Sequence, residues 1–237
     1  MESNTIITGG LAGDDSDFLE TWVIVDNKPT PNYVAAVGLY GQNIEVSYSS
    51  GGGWKKFGID RMVTQADNNI LYKLDNEPAL EVYKKYLGEK STELPASGLL
   101  YPLMIKEEGS KESKVRTILA IDENDQSITF AGDIPNGSEV MFMKASFEEL
   151  VNGAKEAGTA LLKGYRDNKA ACIAVSCVGR KLVLGQKIDE ELEVLKDLID
   201  DGIELVGYYS YGEISPLRNG ICDLHNQTMT LTLIWES

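Results

Sequence analysis

The chain has 237 residues, one large domain or two modest ones at about 150 residues per domain, and its 43% hydrophobic content is enough for a buried core. Lys plus Arg number 22 against 37 Asp plus Glu, giving a net charge of −15. That balance excludes a duplex nucleic-acid binder, whose affinity comes from Lys and Arg neutralising phosphates, and a surface built to dock on anionic lipid. No apolar run approaches the ~18 residues of a transmembrane helix, and Met1-Glu2-Ser3-Asn4-Thr5 lacks the basic and apolar regions of a signal peptide. The sequence predicts a cytoplasmic, bacterial-looking globular protein with no membrane insertion.

In chain order, Gly9-Gly10-Leu11-Ala12-Gly13 comes first. It lacks the Lys-Ser/Thr ending of a phosphate loop and the dinucleotide spacing, so it reads as a tight turn leaving a strand. Strand signatures follow at 22–26, 33–39 and 43–48, the second so apolar that it predicts a strand covered on both faces. Ser49-Ser50-Gly51-Gly52-Gly53 is either a turn or a place where backbone comes close to something. A short helix has Pro78 in its first turn, Leu80, Tyr83 and Leu87 on one face, and Gly88 as its stop. Residues 89–98 have the composition of a linker and predict domains 1–93 and 94–237.

Beyond it, runs at 115–121 and 127–130 flank Asp122-Glu123-Asn124-Asp125-Gln126 and predict a hairpin. The acidic segment lacks the central Gly and the distant Glu of an EF-hand loop and reads as a solvated turn. Ser146 and Glu149 form a capping box, followed by Leu150, Ala154, Ala157 and Leu161 on one helical face and Gly164 at the end. A second helix starts near Asp189, lines up Leu192, Leu195, Leu198 and Ile199, and stops at Gly202. Its Asp-Glu-Glu opening suits the positive end of the helix dipole. Strands at 171–178, 203–209 and 228–235 complete the pattern, the last alternating Met229, Leu231, Leu233 and Trp235 against threonines and Ile234. The order predicts a mixed α/β (α+β) fold: mixed, partly antiparallel sheets flanked by helices, in two similar-sized domains sharing an interface.

Cys172, Cys177 and Cys222 are an odd set, not a disulfide framework. On one strand, Cys172 and Cys177 lie about 16 Å apart, beyond the ~7 Å reach of a bridge, which fits a reducing compartment. His225 is the only histidine. Cys222-x-x-His225 has ligand spacing but not the four ligands of a closed zinc site, so neither metal nor cofactor is expected. No Gly-x-Ser-x-Gly elbow is present.

Cys177 ends its strand before Val178-Gly179-Arg180, which reads as a turn. It is either a structural thiol or a reactive, ligand-facing one whose pKa Arg180 lowers; partial burial is expected. Tyr208-Tyr209-Ser210-Tyr211-Gly212-Glu213 leaves another strand end, where such sheets gather binding groups. Glu213 there either accepts an amine or caps local backbone N–H groups, and Arg180 or Arg116 can fork onto a carboxylate.

Three segments are similar to the C-terminal half of FIST proteins: Ser176-Cys177-Val178-Gly179-Arg180, residues 207–216 (Gly-Tyr-Tyr-Ser-Tyr-Gly-Glu-Ile-Ser-Pro), and residues 224–231 (Leu-His-Asn-Gln-Thr-Met-Thr-Leu). Upstream, residues 9–14, 37–41, 50–55 and the helix over 74–87 resemble the later part of the family's N-terminal domain, of which family members usually carry more. The resemblance implies a sensor that binds small ligands, amino acids being the suggested class, works with a signalling partner protein, and has no catalytic activity. Cys177, Arg180, Tyr211, Gly212, Glu213, His225, Asn226 and Arg116 are the residues expected at the ligand. Two alternatives compete: a thiol-dependent enzyme with Cys177 as nucleophile and His225 as base, and a protein-interaction scaffold. An apolar strand at 33–39 lacking a neighbour also predicts a homodimer.

Overall fold

The computed structural model describes residues 5–15, 17–166, 169–199, 201–217 and 219–236. In chain order come strands β1 (Gly9–Gly10), β2 (Val23–Val25), β3 (Lys28–Thr30), β4 (Ile44–Gly51), β5 (Lys55–Asp67), β6 (Ile70–Leu74) and β7 (Glu77–Pro78), then helix α1 (Ala79–Leu87). Strands β8 (Leu103–Lys106), β9 (Lys114–Arg116), β10 (Ile118–Asp122), β11 (Ser127–Phe130) and β12 (Glu139–Lys144) lead to helix α2 (Phe147–Leu161). Then follow β13 (Ala170–Cys177), α3 (Val178–Leu184), α4 (Ile188–Lys196), β14 (Ile203–Ser210), β15 (Glu213–Pro216), β16 (Cys222–His225) and β17 (Met229–Glu236). The fold is mixed α/β, with partly antiparallel sheets flanked by helices, in two compact units. The first unit takes Met1–Gly52, Leu150–Leu224 and Thr228–Ser237; the second takes Gly53–Glu149 and His225–Gln227.

The first unit is built on a sheet of order β14-β13-β17-β4. β13 runs parallel to β14 and antiparallel to β17, and β17 runs antiparallel to β4. The apolar run of β13 suits an interior strand, which needs apolar side chains on both faces. Met229, Leu231 and Leu233 of β17 are fully buried in a core with Ala154, Ala157 and Leu161 of α2, Cys172 of β13 and Leu195 of α4. Helix α2 lies unusually close to β4. Ser49 Oγ donates to the Ala157 carbonyl at 2.8 Å and Ser47 Oγ to the Leu161 carbonyl at 3.0 Å. Gly51 is the point of closest approach, since any Cβ there overlaps the Gly153 carbonyl. The Ser-Ser-Gly run is therefore a close approach of backbone, not a turn.

The second unit is an eight-stranded sheet of order β10-β11-β6-β5-β12-β8-β9, with β7 beside β6. Leu80, Tyr83 and Leu87 of α1 are buried in its core with Leu71, Leu74, Phe130 and Phe142. Pro78 and Gly88 flank this helix as the sequence predicts, and Gly88 carries the left-handed φ of 56° that a residue without Cβ adopts most easily. The expected hairpin is β10–β11, and its acidic loop is closed by Asp122 accepting the Asn124 N–H at 2.7 Å and Asp125 the Ser127 N–H at 3.1 Å. The capping box also forms: the Ser146 N–H donates to Glu149 at 2.8 Å and the Glu149 N–H returns to Ser146 Oγ at 3.3 Å.

Four expectations are corrected. Residues 33–39 form no strand; Val34 and Val37 are 92% and 87% exposed, and among the described residues no strand pairs with this stretch. Residues 89–98 are no linker. They lie in two 3₁₀ helices, Gly88–Glu93 and Ala96–Leu100, with Ser97 and Gly98 buried in the second unit. The segment after Cys177 is not a turn but the first turn of α3. The run 115–121 is broken at Thr117 into β9 and β10. Strand β5 escaped the sequence pattern because it buries only Val63 among its 13 residues, leaving no alternation to read.

Gly51→Ala tests the close α2–β4 contact. Overpacking of this kind costs about 1–3 kcal/mol, and urea unfolding should show a loss of that size; unchanged stability would contradict the packing described.

Candidate functional site

The parallel strands β13 and β14 end together, Cys177 opposite Ser210. Antiparallel β17 begins at the same edge, with Met229 beside Ser176. The Cys177 N–H donates to the Thr228 carbonyl at 3.1 Å. In α/β sheets, ligands bind at the carboxyl ends of parallel strands, so this edge is where a site is sought.

Two buried carboxylates dominate the edge, and their surroundings differ. Arg180, in the first turn of α3, is fully buried and reaches Glu191 of α4, also fully buried, through Nε at 3.1 Å and an Nη at 2.9 Å. Its other donors go to the carbonyls of Gly52 at 2.8 Å and Leu150 at 2.9 Å. Glu191 additionally accepts from Ser176 Oγ and from the Tyr209 hydroxyl, both at 3.1 Å. Burial, reinforced by the Glu191 charge, pushes the Tyr209 phenol well above its usual pKa. The fork expected for a ligand carboxylate is thus occupied by a carboxylate of the protein itself.

Glu213, at the start of β15, has no such cation. Ser210 Oγ donates to its Oε1 at 3.0 Å; the Thr228 hydroxyl and N–H donate to its Oε2 at 2.9 and 3.2 Å. All these donors are neutral, and among the described residues no ion pair involves Glu213. Burial raises its pKa to about 8, outweighing the hydrogen bonds from Thr228 and Ser210 and the attraction of Arg180, all of which lower it. Of the two readings the sequence allows for Glu213, the structure shows the acceptance of a local backbone N–H.

The segment after β1 borders this centre. The Gly10 backbone pairs with Glu213, and the Leu11 N–H donates to the Gly212 carbonyl at 2.9 Å. The Gly212 N–H in turn donates to Ser210 Oγ at 3.1 Å. Tyr211 stacks on Phe18 with ring centroids 4.8 Å apart, and its hydroxyl donates to Asp14. That hydrogen bond, with others from Glu20 and Leu19, holds the Asp14 carboxyl down at about 2. Lys181 pairs with Asp15 at 2.6 Å.

The structure divides the expected residues. Cys177, Arg180, Tyr211, Gly212 and Glu213 lie in the first unit; His225, Asn226 and Arg116 lie in the second. Cys177 is 3% exposed, more buried than expected, because it ends an interior strand. Asn226 Nδ2 donates to the His225 carbonyl at 3.0 Å, and buried Arg116 donates through Nε to the Asp133 carbonyl at 3.2 Å. Among the described residues, no group of three or more His, Cys, Asp or Glu is arranged to hold a metal. Sequence reasoning missed Glu191 and marked Tyr209, Ser210 and Thr228 only as parts of the segments 208–213 and 224–231; Glu191 stands four residues before the buried Leu195, on the inward face of α4.

What these features define is a mixed α/β protein with a buried polar centre at the ends of its parallel strands. Family models then place it: the FIST N domain matches residues 1–77 and the FIST C domain residues 79–216, so the chain belongs to the FIST family. FIST domains are sensory modules. The chain is 25% identical, over 263 aligned residues, to an uncharacterized protein of the archaeon Methanocaldococcus jannaschii; the alignment covers 97% of this chain and 48% of that protein. The chain therefore spans about half the length of the curated relative it matches. No solved structure matches it. No helix among the described residues is long and apolar enough to cross a membrane.

Glu213 makes stability depend on pH with a definite sign. Its folded pKa of about 8 exceeds the ordinary 4.5, so between these values the folded state binds more protons and stability falls as pH rises, by at most about 1.4 kcal/mol per pH unit. Urea unfolding from pH 5 to 8 should show this slope reduced in Glu213→Gln relative to wild type. Parallel profiles for the two proteins would contradict the assignment.

Proposed function

We propose that the chain is a FIST-type sensory module whose first unit holds a small amine-bearing ligand at Glu213, an amino acid being the class expected, and signals through a partner protein. The supporting observation is the contrast between the two acids: Glu191 is answered by a guanidinium, whereas Glu213, equally buried, meets only neutral donors. A buried acid perturbed by desolvation at a strand-end edge is a candidate functional group. Since Arg180 is committed to Glu191, the ligand group that this centre recognises is the ammonium. The thiol-enzyme alternative gains no support from Cys177, whose burial keeps it from a substrate. Three thiols and no disulfide fit a reducing, cytoplasmic setting. The exposed apolar stretch with Val34, Val37 and Tyr40 favours contact with another polypeptide, a second copy or a signalling partner.

The test is a thermal-shift screen of the twenty amino acids on the full chain. A ligand at about 100 times its Kd adds roughly 2.7 kcal/mol, a rise of a few degrees. At least one amino acid should give that rise in wild type and none in Glu213→Gln; no shift with any of them contradicts the ligand class.

A further inference from the structure

The first unit carries two strand-like features without partners. Residues 31–40 are all exposed, and 33–40, Tyr-Val-Ala-Ala-Val-Gly-Leu-Tyr, consists of apolar residues and glycine alone. In an extended chain Tyr33, Val37 and Leu39 share one face while Val34 and Tyr40 take the other, so such a segment suits a place with apolar neighbours on both sides. The second feature is β14. It is an edge of the four-stranded sheet, pairs with β13 through all eight of its residues, and among the described residues has no strand on its other side. Natural edges are blunted by proline, lysine or a bulge. β14 has none of these, and Glu204 is its only charge. Both its faces are apolar: Ile203 and Leu205 pack into the core, while Val206 and Tyr208 on the opposite face are 60% and 46% exposed. β1 meets this face at its Ser210 end, where the Tyr208 hydroxyl donates to the Gly10 carbonyl at 3.3 Å, and leaves Val206 uncovered. The other edge of the sheet, β4, is half-buried along most of its length.

We infer that residues 33–40 of one copy of this chain add as a strand to the β14 edge of a second copy, and that the exchange runs both ways in a closed two-fold dimer. This rests on the reading above that the stretch contacts another polypeptide, and it names that polypeptide and its docking edge. The lengths agree, since each segment has eight residues, about 26 Å when extended. The occupant is a second copy because one chain supplies both the unpaired strand and the unpaired edge, and a two-fold axis satisfies both together. The outward N–H and C=O groups of β14 then find backbone partners, and Val206 and Tyr208 are covered. The area is sufficient. At about 200 Å² for an aromatic and about 100 Å² for an aliphatic side chain, Tyr33, Val34, Val37, Leu39 and Tyr40 present roughly 500 Å². Used twice, with the edges they hide, they reach the range of about 1,200–2,000 Å² that specific interfaces bury.

Size exclusion with light scattering on the full chain, from micromolar to submillimolar concentration, tests the pairing, with backbone hydrogen exchange as the local readout. The mass should rise to twice the 26.0 kDa of the chain, and the amides of 33–40 and 203–210 should gain protection together as it does. Val37→Asp charges the stretch and Val206→Lys charges the edge. Both positions are exposed in the single chain, so folding is retained, which circular dichroism checks. Each variant alone should weaken dimerisation by about tenfold or more, since the charge is buried against an apolar surface. Mixing the two should restore dimers, because each mixed pair keeps one native strand-on-edge contact and joins opposite charges in the other. A monomer at every concentration with 33–40 unprotected overturns the second copy and leaves the contact with a different polypeptide standing. Protection of 33–40 within the monomer overturns that reading too, since the chain then covers its own stretch. A dimer in which 33–40 stays unprotected, or which Val37→Asp leaves unchanged, overturns the strand exchange. Growth beyond the dimer overturns the closed two-fold, because a contact that does not close builds filaments.

Discussion

The buried pairing of Arg180 with Glu191 is the constraint on which the first unit's strand-end edge depends. A guanidinium taken out of water must have its donors answered, and here the answers come from three segments: Glu191 of α4, the Leu150 carbonyl in α2 and the Gly52 carbonyl after β4; Glu191 in turn accepts from Ser176 of β13 and Tyr209 of β14. Desolvating two charges offsets most of their attraction, so such a pair adds little net stability, but removing one partner leaves the other buried and uncompensated at a cost of about 3–5 kcal/mol. Its effect is on geometry. It fixes where β13 ends and α3 begins, and it holds α2 and α4 to the same sheet edge.

That arrangement also decides which acid is left for chemistry. Both Glu191 and Glu213 sit at the carboxyl ends of β13 and β14, both fully buried, but one guanidinium serves only one of them at contact distance. Glu191 becomes a fixed anion. Glu213 receives the longer-range attraction of Arg180 and three hydrogen bonds, which together do not overcome its burial. The result is an acid poised near neutrality beside a two-residue strand, a local arrangement that sequence spacing alone does not reveal.

Much of the fold was legible because its signals are local. The capping box at Ser146 and Glu149, the Pro78 to Gly88 frame of α1 and the alternation in 229–235 depend on neighbours a few residues away, and the structure shows them as expected. The misreadings are where a distant element decides. Residues 33–39 have the composition of a strand, but a strand also needs a partner. Val178-Gly179-Arg180 resembles a turn until the demand of Arg180 for Glu191 draws it into a helix. At the strand ends, residue types and clustering pointed to Glu213, but not that Arg180 would be spent on Glu191, eleven residues further on, and on the carbonyl of Leu150, thirty residues before it. Ser210 and Thr228 carry no mark of their own in the sequence, since a hydroxyl's partner is set entirely by the register of β14, β15 and β17.

The central claim, that Glu213 is a buried acid without a cation of its own, is open to one direct measurement. Carbon-13 NMR of the side-chain carboxyl groups, with the Glu213 signal assigned by its loss in Glu213→Gln, follows its ionisation directly. The account predicts a midpoint near 8. A midpoint at or below the ordinary value of 4.5 would show that its hydrogen bonds and the attraction of Arg180 outweigh burial, and would contradict it.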